Sequence, residues 1–324
     1  MSAFARFLTA ALVAVAALTA PGWAAAQDAT PPAGCADLDD ATMAAMARAW
    51  TDHSFSGEPD PAFDAMLAPD LLYHSAAFGD VDGAGWLAGR AVLGKAFPDG
   101  AITVNQTIVD PPWAVTQWTA RATFTGDFMG MPATGAPVDW DAINIYRFDC
   151  GRIAEAWTQI DQLGRLDPVT PAADRPATPV AACADPAAPV SDAAAEAIVD
   201  AWWGGLWGAG DAAAFEQISH EDILHHWAMG PDTVGRDAIV ERVGKWRAAM
   251  PDIAFTHAEV LVDGDLAAAR WTGTGTDTGG VNGTPPTGKA VTMEGINLFR
   301  VQCGQVTEIW SEMDAAGFLE QLGS

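Results

Sequence analysis

Phe97-Pro98-Asp99 returns as Met250-Pro251-Asp252, 153 positions later. The spacing then holds without a gap: Trp118-Thr119 matches Trp271-Thr272, Pro132-x-Thr134-Gly135 matches Pro285-x-Thr287-Gly288, and Ile143-Asn144 matches Ile296-Asn297. Glu155-x-Trp157-x-x-x-Asp161 matches Glu308-x-Trp310-x-x-x-Asp314. Upstream the spacing drifts, as loops of unequal length require: His74 pairs with His226, Gly89-Arg90 with Gly235-Arg236, and Cys35 with Cys183. Such a repeat constrains the chain to two domains of one fold. The stretch between the copies, 168–190, carries six prolines and reads as a semi-rigid linker. The expected domains are therefore 35–167 and 191–324, each of a size that one core serves.

Half of the 324 residues are apolar, so the chain can bury cores despite a net charge of −26. The charge argues against nucleic acid as a partner, because 16 Lys and Arg stand against 42 Asp and Glu. Arg6, the apolar run Phe7–Ala20 and Ala24-Ala25-Ala26 have the three parts of an export signal over 1–26. The expected location is periplasmic or secreted, with no membrane attachment after cleavage. The four Cys fall two per copy at matching places, and four allow three pairings. Duplication and export favour Cys35–Cys150 and Cys183–Cys303 over the others.

Each copy starts helical. Met43, Met46, Ala47 and Trp50 recur at helical spacing, as do Ala197, Ile198, Ala201, Trp202 and Leu206. Shorter helices are expected at Pro61–Leu67 and Ala212–Ile218, and third helices at Trp86–Ala96 and Arg236–Ala249. The rest is rich in Val, Thr, Ile and Trp and reads as strands at 102–109, 114–124, 138–148 and 153–160, with counterparts at 253–262, 266–276, 291–301 and 306–313. Helices first and strands after predict an α+β fold.

The second copy carries Gly235-Arg236, Pro251-Asp252, Asp263-Gly264-Asp265, Gly273-Thr274-Gly275, Pro286-Thr287-Gly288-Lys289, Phe299-Arg300 and Trp310-x-x-x-Asp314. This resembles the SnoaL-like polyketide (ester) cyclase family of the nuclear transport factor 2-like superfamily. The first copy resembles it less closely, with Ala136 in place of Lys289 and Phe124 in place of Asp277. The resemblance implies two cone-shaped domains. In each, about three N-terminal helices would close a curved antiparallel sheet over an apolar pocket. It further implies pairing through the sheets, so that one chain acts as an intramolecular pseudo-dimer.

If Cys150-Gly151 form a two-residue turn, Phe148 faces Ile153 and the last hairpin's register follows. Asn144 then lies opposite Trp157, Asn297 opposite Trp310, Gly295 opposite Glu312, and Met293 opposite Asp314, all on one face of their hairpin. A carboxylate in such an apolar setting has its pKa raised, which suits acid–base work. The resemblance assigns that role to Asp314, and less directly to Asp161. The alternative is that each Asp caps a helix. His226 and Asn297 are the expected orienting groups, with His74, Asn144, Trp157, Trp310 and Glu312 lining the pockets. No metal is expected, since neighbouring residues such as His225 and His226 point apart. No cofactor is expected either. Gly89–Lys95 and Gly283–Lys289 have phosphate-loop spacing but are followed by Ala instead of Ser or Thr. Two functions remain open: a cofactor-free cyclase, isomerase or hydratase acting on a small apolar carbonyl compound, or a non-catalytic pocket for a small apolar ligand. An Asp314 buried at the end of a cavity favours the first, and one turned onto a helix N-terminus favours the second.

Overall fold

The computed structural model describes residues 37–56, 60–128, 132–161 and 185–323. The expected signal segment, Cys35, Cys183 and most of the linker lie outside them.

The first domain runs α1 (Asp40–Asp52), α2 (Pro61–Asp64), β1 (Leu67–Ser75), β2 (Gly79–Asp82), α3 (Gly83–Ala96), β3 (Ala101–Asp110), β4 (Trp113–Thr123), β5 (Pro137–Asp149) and β6 (Arg152–Ile160). The second repeats the order. It has α4 (Asp192–Asp200) with a π-helical continuation (Ala201–Ala209), α5 (Ala212–Ile218), β7 (Ser219–Trp227), β8 (Thr233–Val234), α6 (Arg236–Ala249), β9 (Ala254–Asp263), β10 (Leu266–Thr276), β11 (Ala290–Gln302), β12 (Gln305–Met313) and α7 (Ala315–Leu322). The α+β expectation holds. β1, β2, β7 and β8 come in addition to the eight expected strands.

Side-chain caps start the first helices. Asp39 accepts the Thr42 N–H at 2.7 Å, and Ser191 does the same for Ala194 at 3.3 Å. The faces they bury correspond: Met43, Met46, Ala47, Trp50 and Thr51 in α1, and Ala195, Ile198, Val199, Trp202 and Trp203 from α4 onward. The π-helical stretch also buries Leu206 and Trp207, and ends at Gly210 in the left-handed region (φ 75°). Arg247 donates to the carbonyls of Trp207 and Gly208 that this end leaves open. The third helices align at the same 153 spacing, with Asp82 and Gly235 as their N-caps. Gly89-Arg90, inside α3, is therefore not the structural counterpart of Gly235-Arg236.

The sheets have strand orders β2-β1-β6-β5-β4-β3 and β8-β7-β12-β11-β10-β9. All neighbours are antiparallel except β1 with β6 and β7 with β12, which are parallel. Register shifts in β3 against β4 and in β9 against β10 bend each sheet. One face of each sheet packs under its helices. The other faces the second sheet, forming one shared core from Ile108, Val115, Ile143, Ile145 and Trp157 with Leu261, Leu266, Ala268, Ile296, Leu298 and Trp310. Ten of these form five pairs across the copies at 153 positions, as an isologous dimer interface would. The hydrogen bonds are reciprocal too: Val109 N–H donates to Asp263 at 3.1 Å, and Val262 N–H to Asp110 at 3.0 Å. Arg270 of the second domain sits 3.8 Å above the Trp157 ring of the first, a close cation–π contact. The pseudo-dimer is thus built into one chain.

Candidate functional site

The two faces of a strand differ by one residue, so the site depends on the register of the last hairpin. Phe148 does face Ile153, as the turn predicts. Beyond it, however, a β-bulge leaves Ala154 unpaired, and Thr307 is its counterpart. The extra residue shifts all later pairs. Asn144 faces Thr158, not Trp157, and Asn297 faces Ser311, not Trp310. Ile296 is the residue that faces Glu312, and Gly295 faces Met313. Trp157, Trp310 and Glu312 consequently lie on the face turned toward the other domain and line neither interior.

The interior of each domain carries a row of side chains across four adjacent strands. In the first it is Tyr73, Thr158, Asn144 and Trp118, and all four line one cavity together with Trp50, Trp86 and Trp140. Its free space is small, about 30 Å³, which is room for one or two waters. Phe55 and Phe78, partly exposed, form its solvent side. Asn144 accepts the Trp118 indole N–H at 3.2 Å and donates to the Tyr146 hydroxyl at 2.8 Å. That hydroxyl also meets Thr51 at 3.0 Å and Thr116 at 3.1 Å. Burial pushes the Tyr146 phenol well above its usual range, so it stays neutral. The Thr158 hydroxyl and the indole nitrogens of Trp50 and Trp86 are buried with no protein partner. No ionisable acid or base lines the cavity apart from the Tyr73 phenol.

In the second domain the row is His225, Ser311, Asn297 and Trp271. His225 Nε2 lies 2.8 Å from Ser311 Oγ, and Asn297 accepts the Trp271 indole N–H at 2.8 Å. His225 is fully buried. Burial first, then the positive charges of Arg242 and His226, hold its pKa well below the ordinary histidine value, so the ring is neutral. Period-two alternation about His226 would have pointed to it, since neighbours on a strand face opposite ways.

The other expected residues belong elsewhere. His74 and His226 stack on Trp157 and Trp310 on the interdomain side, not in the pockets. Each is held between two carboxylates: His74 by Asp80 (2.8 Å) and Glu155 (3.0 Å), His226 by Asp232 (3.1 Å) and Glu308 (3.0 Å). Arg147 and Arg300 complete these duplicated networks by pairing with Glu155 and Glu308. Asp314 is half-buried at the end of β12 and caps α7, accepting the Gly317 N–H at 2.8 Å. Burial raises its pKa, and the Gly317 N–H opposes that rise. Asp161 ends β6 partly buried, its N–H bonded to Asp141. The Gly-rich loop after β10 is pinned by buried Asp277, which accepts from Gly280 and Thr287. Among the described residues one group has metal-ligand spacing, Glu196, Asp200 and His257, with both carboxylates exposed. His257 is ion-paired to Asp200 at 3.1 Å.

The model of a family described as SnoaL-like polyketide cyclase matches residues 41–167 and again 197–322. Among solved structures, TsrD from Streptomyces laurentii is 24% identical, covering 41% of this chain and 98% of its own (TM-score 0.38). IdmH, a putative polyketide cyclase from Streptomyces antibioticus, is 27% identical, covering 40% and 99% (TM-score 0.36). A putative SnoaL-like polyketide cyclase from Jannaschia sp. CCS1 is 19% identical, covering 40% and 92% (TM-score 0.38). No curated protein matches the chain.

The His226 network sets a pH dependence. Burial alone would lower its pKa, but Asp232 and Glu308 outweigh that and push it up to about 9. The folded value lies above the unfolded value near 6.5, so this stabilisation is complete below about pH 6.5 and is lost as pH rises through 9. Stability measured by urea unfolding should fall across that window by as much as roughly 3 kcal/mol. His226→Gln should flatten the fall; an equally steep fall in the variant would contradict the assignment.

Proposed function

The chain belongs to the SnoaL-like polyketide cyclase family, and from that premise we propose that its first domain binds a small, largely apolar molecule carrying one hydrogen-bonding oxygen. The observation that carries this reading is the composition of the cavity wall. Aromatic and aliphatic side chains surround the buried Thr158 hydroxyl and two indole nitrogens, none with a protein partner. Buried polar atoms left in that state cost free energy until something meets them. Apolar walls with a few convergent polar groups describe a small-molecule site. A ligand larger than the free space enters by moving Phe55 or Phe78, the exposed part of the wall.

Binding without proton transfer is favoured for this domain, because Asp161, the aspartate expected to shuttle protons there, does not line its cavity. Asp314 already serves α7 as its cap. The test is a tryptophan-fluorescence titration with small cyclic ketones. Saturable binding is expected. Thr158→Val should weaken it about fivefold, the value of one neutral hydrogen bond, while Phe78→Ala strengthens it and Asp314→Asn leaves it unchanged. Absence of saturable binding in both the wild type and Phe78→Ala would sink the proposal.

We propose in addition that the chain is exported and carries Cys35–Cys150 and Cys183–Cys303. The pattern of residues 1–26 supports export. The matching left-handed turn positions of Cys150 (φ 49°) and Cys303 (φ 56°) support the equivalence of the two pairs. Non-reducing mass spectrometry of protein recovered from outside the cytoplasm should find an amino terminus near Gln27 and both bridges. An intact Met1 or four alkylatable thiols would contradict it.

A further inference from the structure

We infer that the interior of the second domain is a binding site for a small aromatic anion, a carboxylate or phenolate, whose oxygen is held by the Asn297 amide and faces the Arg242 guanidinium.

The two copies supply the comparison. In the first domain the Asn144 amide has a protein acceptor: its Nδ2 donates to Tyr146, which Thr51 and Thr116 hold in turn. In the second, all three partners are apolar or aromatic. Phe299 stands for Tyr146, Ala269 for Thr116 and Trp203 for Thr51. Asn297 Nδ2 is therefore a buried donor with no protein acceptor. A fully buried amide donor left in this state is destabilising, and its retention argues for a ligand atom as the acceptor.

The same domain buries other open groups. The indole nitrogens of Trp202, Trp203 and Trp207 are buried without a protein partner, and so are both terminal nitrogens of Arg242 and Nδ1 of His225. Apart from His225, whose free nitrogen has either role according to tautomer, all are donors. Arg242 contrasts with Arg247 on the same helix, which spends its donors on the carbonyls of Trp207 and Gly208. The Arg242 guanidinium instead lies 5.7 Å from the Trp227 ring, mostly buried, with Asp232 as the acidic group acting on it. His225 is linked to both Asn297 and Arg242. It bonds Ser311, the cross-strand neighbour of Asn297, and feels the charge of Arg242. A surplus of buried donors beside a cation fits an electron-rich oxygen, and the indole rings around it fit an aromatic body. A surface cleft of about 370 Å³ lies on the same domain, between α6 and the loop after β10. Its lining includes Trp246, whose ring meets Trp227 edge-on at 5.8 Å.

The proposal separates from that for the first domain by ligand charge. Calorimetric titration with benzoate, and with benzamide as the uncharged control, tests it. Wild type should bind benzoate more tightly than benzamide. Arg242→Gln should weaken benzoate at least tenfold and leave benzamide within about twofold, and Asn297→Leu should weaken both. Thermal unfolding without ligand gives a second reading. An arginine that only supports the fold would lower the melting temperature when replaced, whereas removing a buried cation whose terminal nitrogens have no protein acceptor should leave it unchanged or raise it. No benzoate binding, or Arg242→Gln that melts lower and binds benzoate as wild type does, would overturn the inference.

Discussion

One extra residue per sheet, Ala154 in β6 and Thr307 in β12, decides what each domain encloses. Strand side chains alternate, so a one-residue bulge exchanges the two faces of everything beyond it. Before the bulge the hairpin follows its turn. After it, Trp157 and Trp310 go to the shared core between the domains, and Thr158 and Ser311 join the asparagines inside. The pseudo-dimer and the two interiors both rest on that exchange. Without it the shared core would lose its largest side chains, and two indoles would fill the space where the polar rows now lie.

The duplication kept the two faces for different reasons. On the interdomain face the copies agree in kind: the isoleucine ladder, the tryptophans, the His–carboxylate–Arg networks and the reciprocal Asp110 and Asp263 contacts all recur. An interface related by a pseudo-twofold needs both halves alike. The interiors carry no such constraint, and there the copies differ. Tyr73 corresponds to His225, and Tyr146 to Phe299. In one interior the asparagine amide donates within a polar network, and in the other its donor is open. The two binding chemistries we propose rest on that difference.

This division also explains what was legible beforehand. The repeat, the late strands, the third helices and the α+β class were readable because hydrophobic periodicity and the constant spacing marked them. β1 was not, since Pro69 and Asp70 interrupt its alternation and its register against β6 shifts between Leu67 and Leu72. The bulge left no mark, because Ala154 and Thr307 are ordinary strand residues. Matching the copies selected His74 and His226, the pair that recurs, and so found the interface. His225 and Arg242 recur as Tyr73 and Gly89, and a search for agreement passes over them. Asp314 has both a catalytic and a capping reading in the sequence, and in the structure it caps α7.

The central claim is that adjacent His225 and His226 face opposite sides of one strand, the first sealed in the second domain's interior and the second held between carboxylates. Nitrogen-15 NMR of the histidine rings at about pH 7.5, between the ordinary value of 6.5 and the value of about 9 for His226, tests it directly. The account predicts a neutral ring in a single tautomer for His225 and a doubly protonated ring for His226. A neutral His226 beside a His225 that titrates like a free imidazole would contradict it.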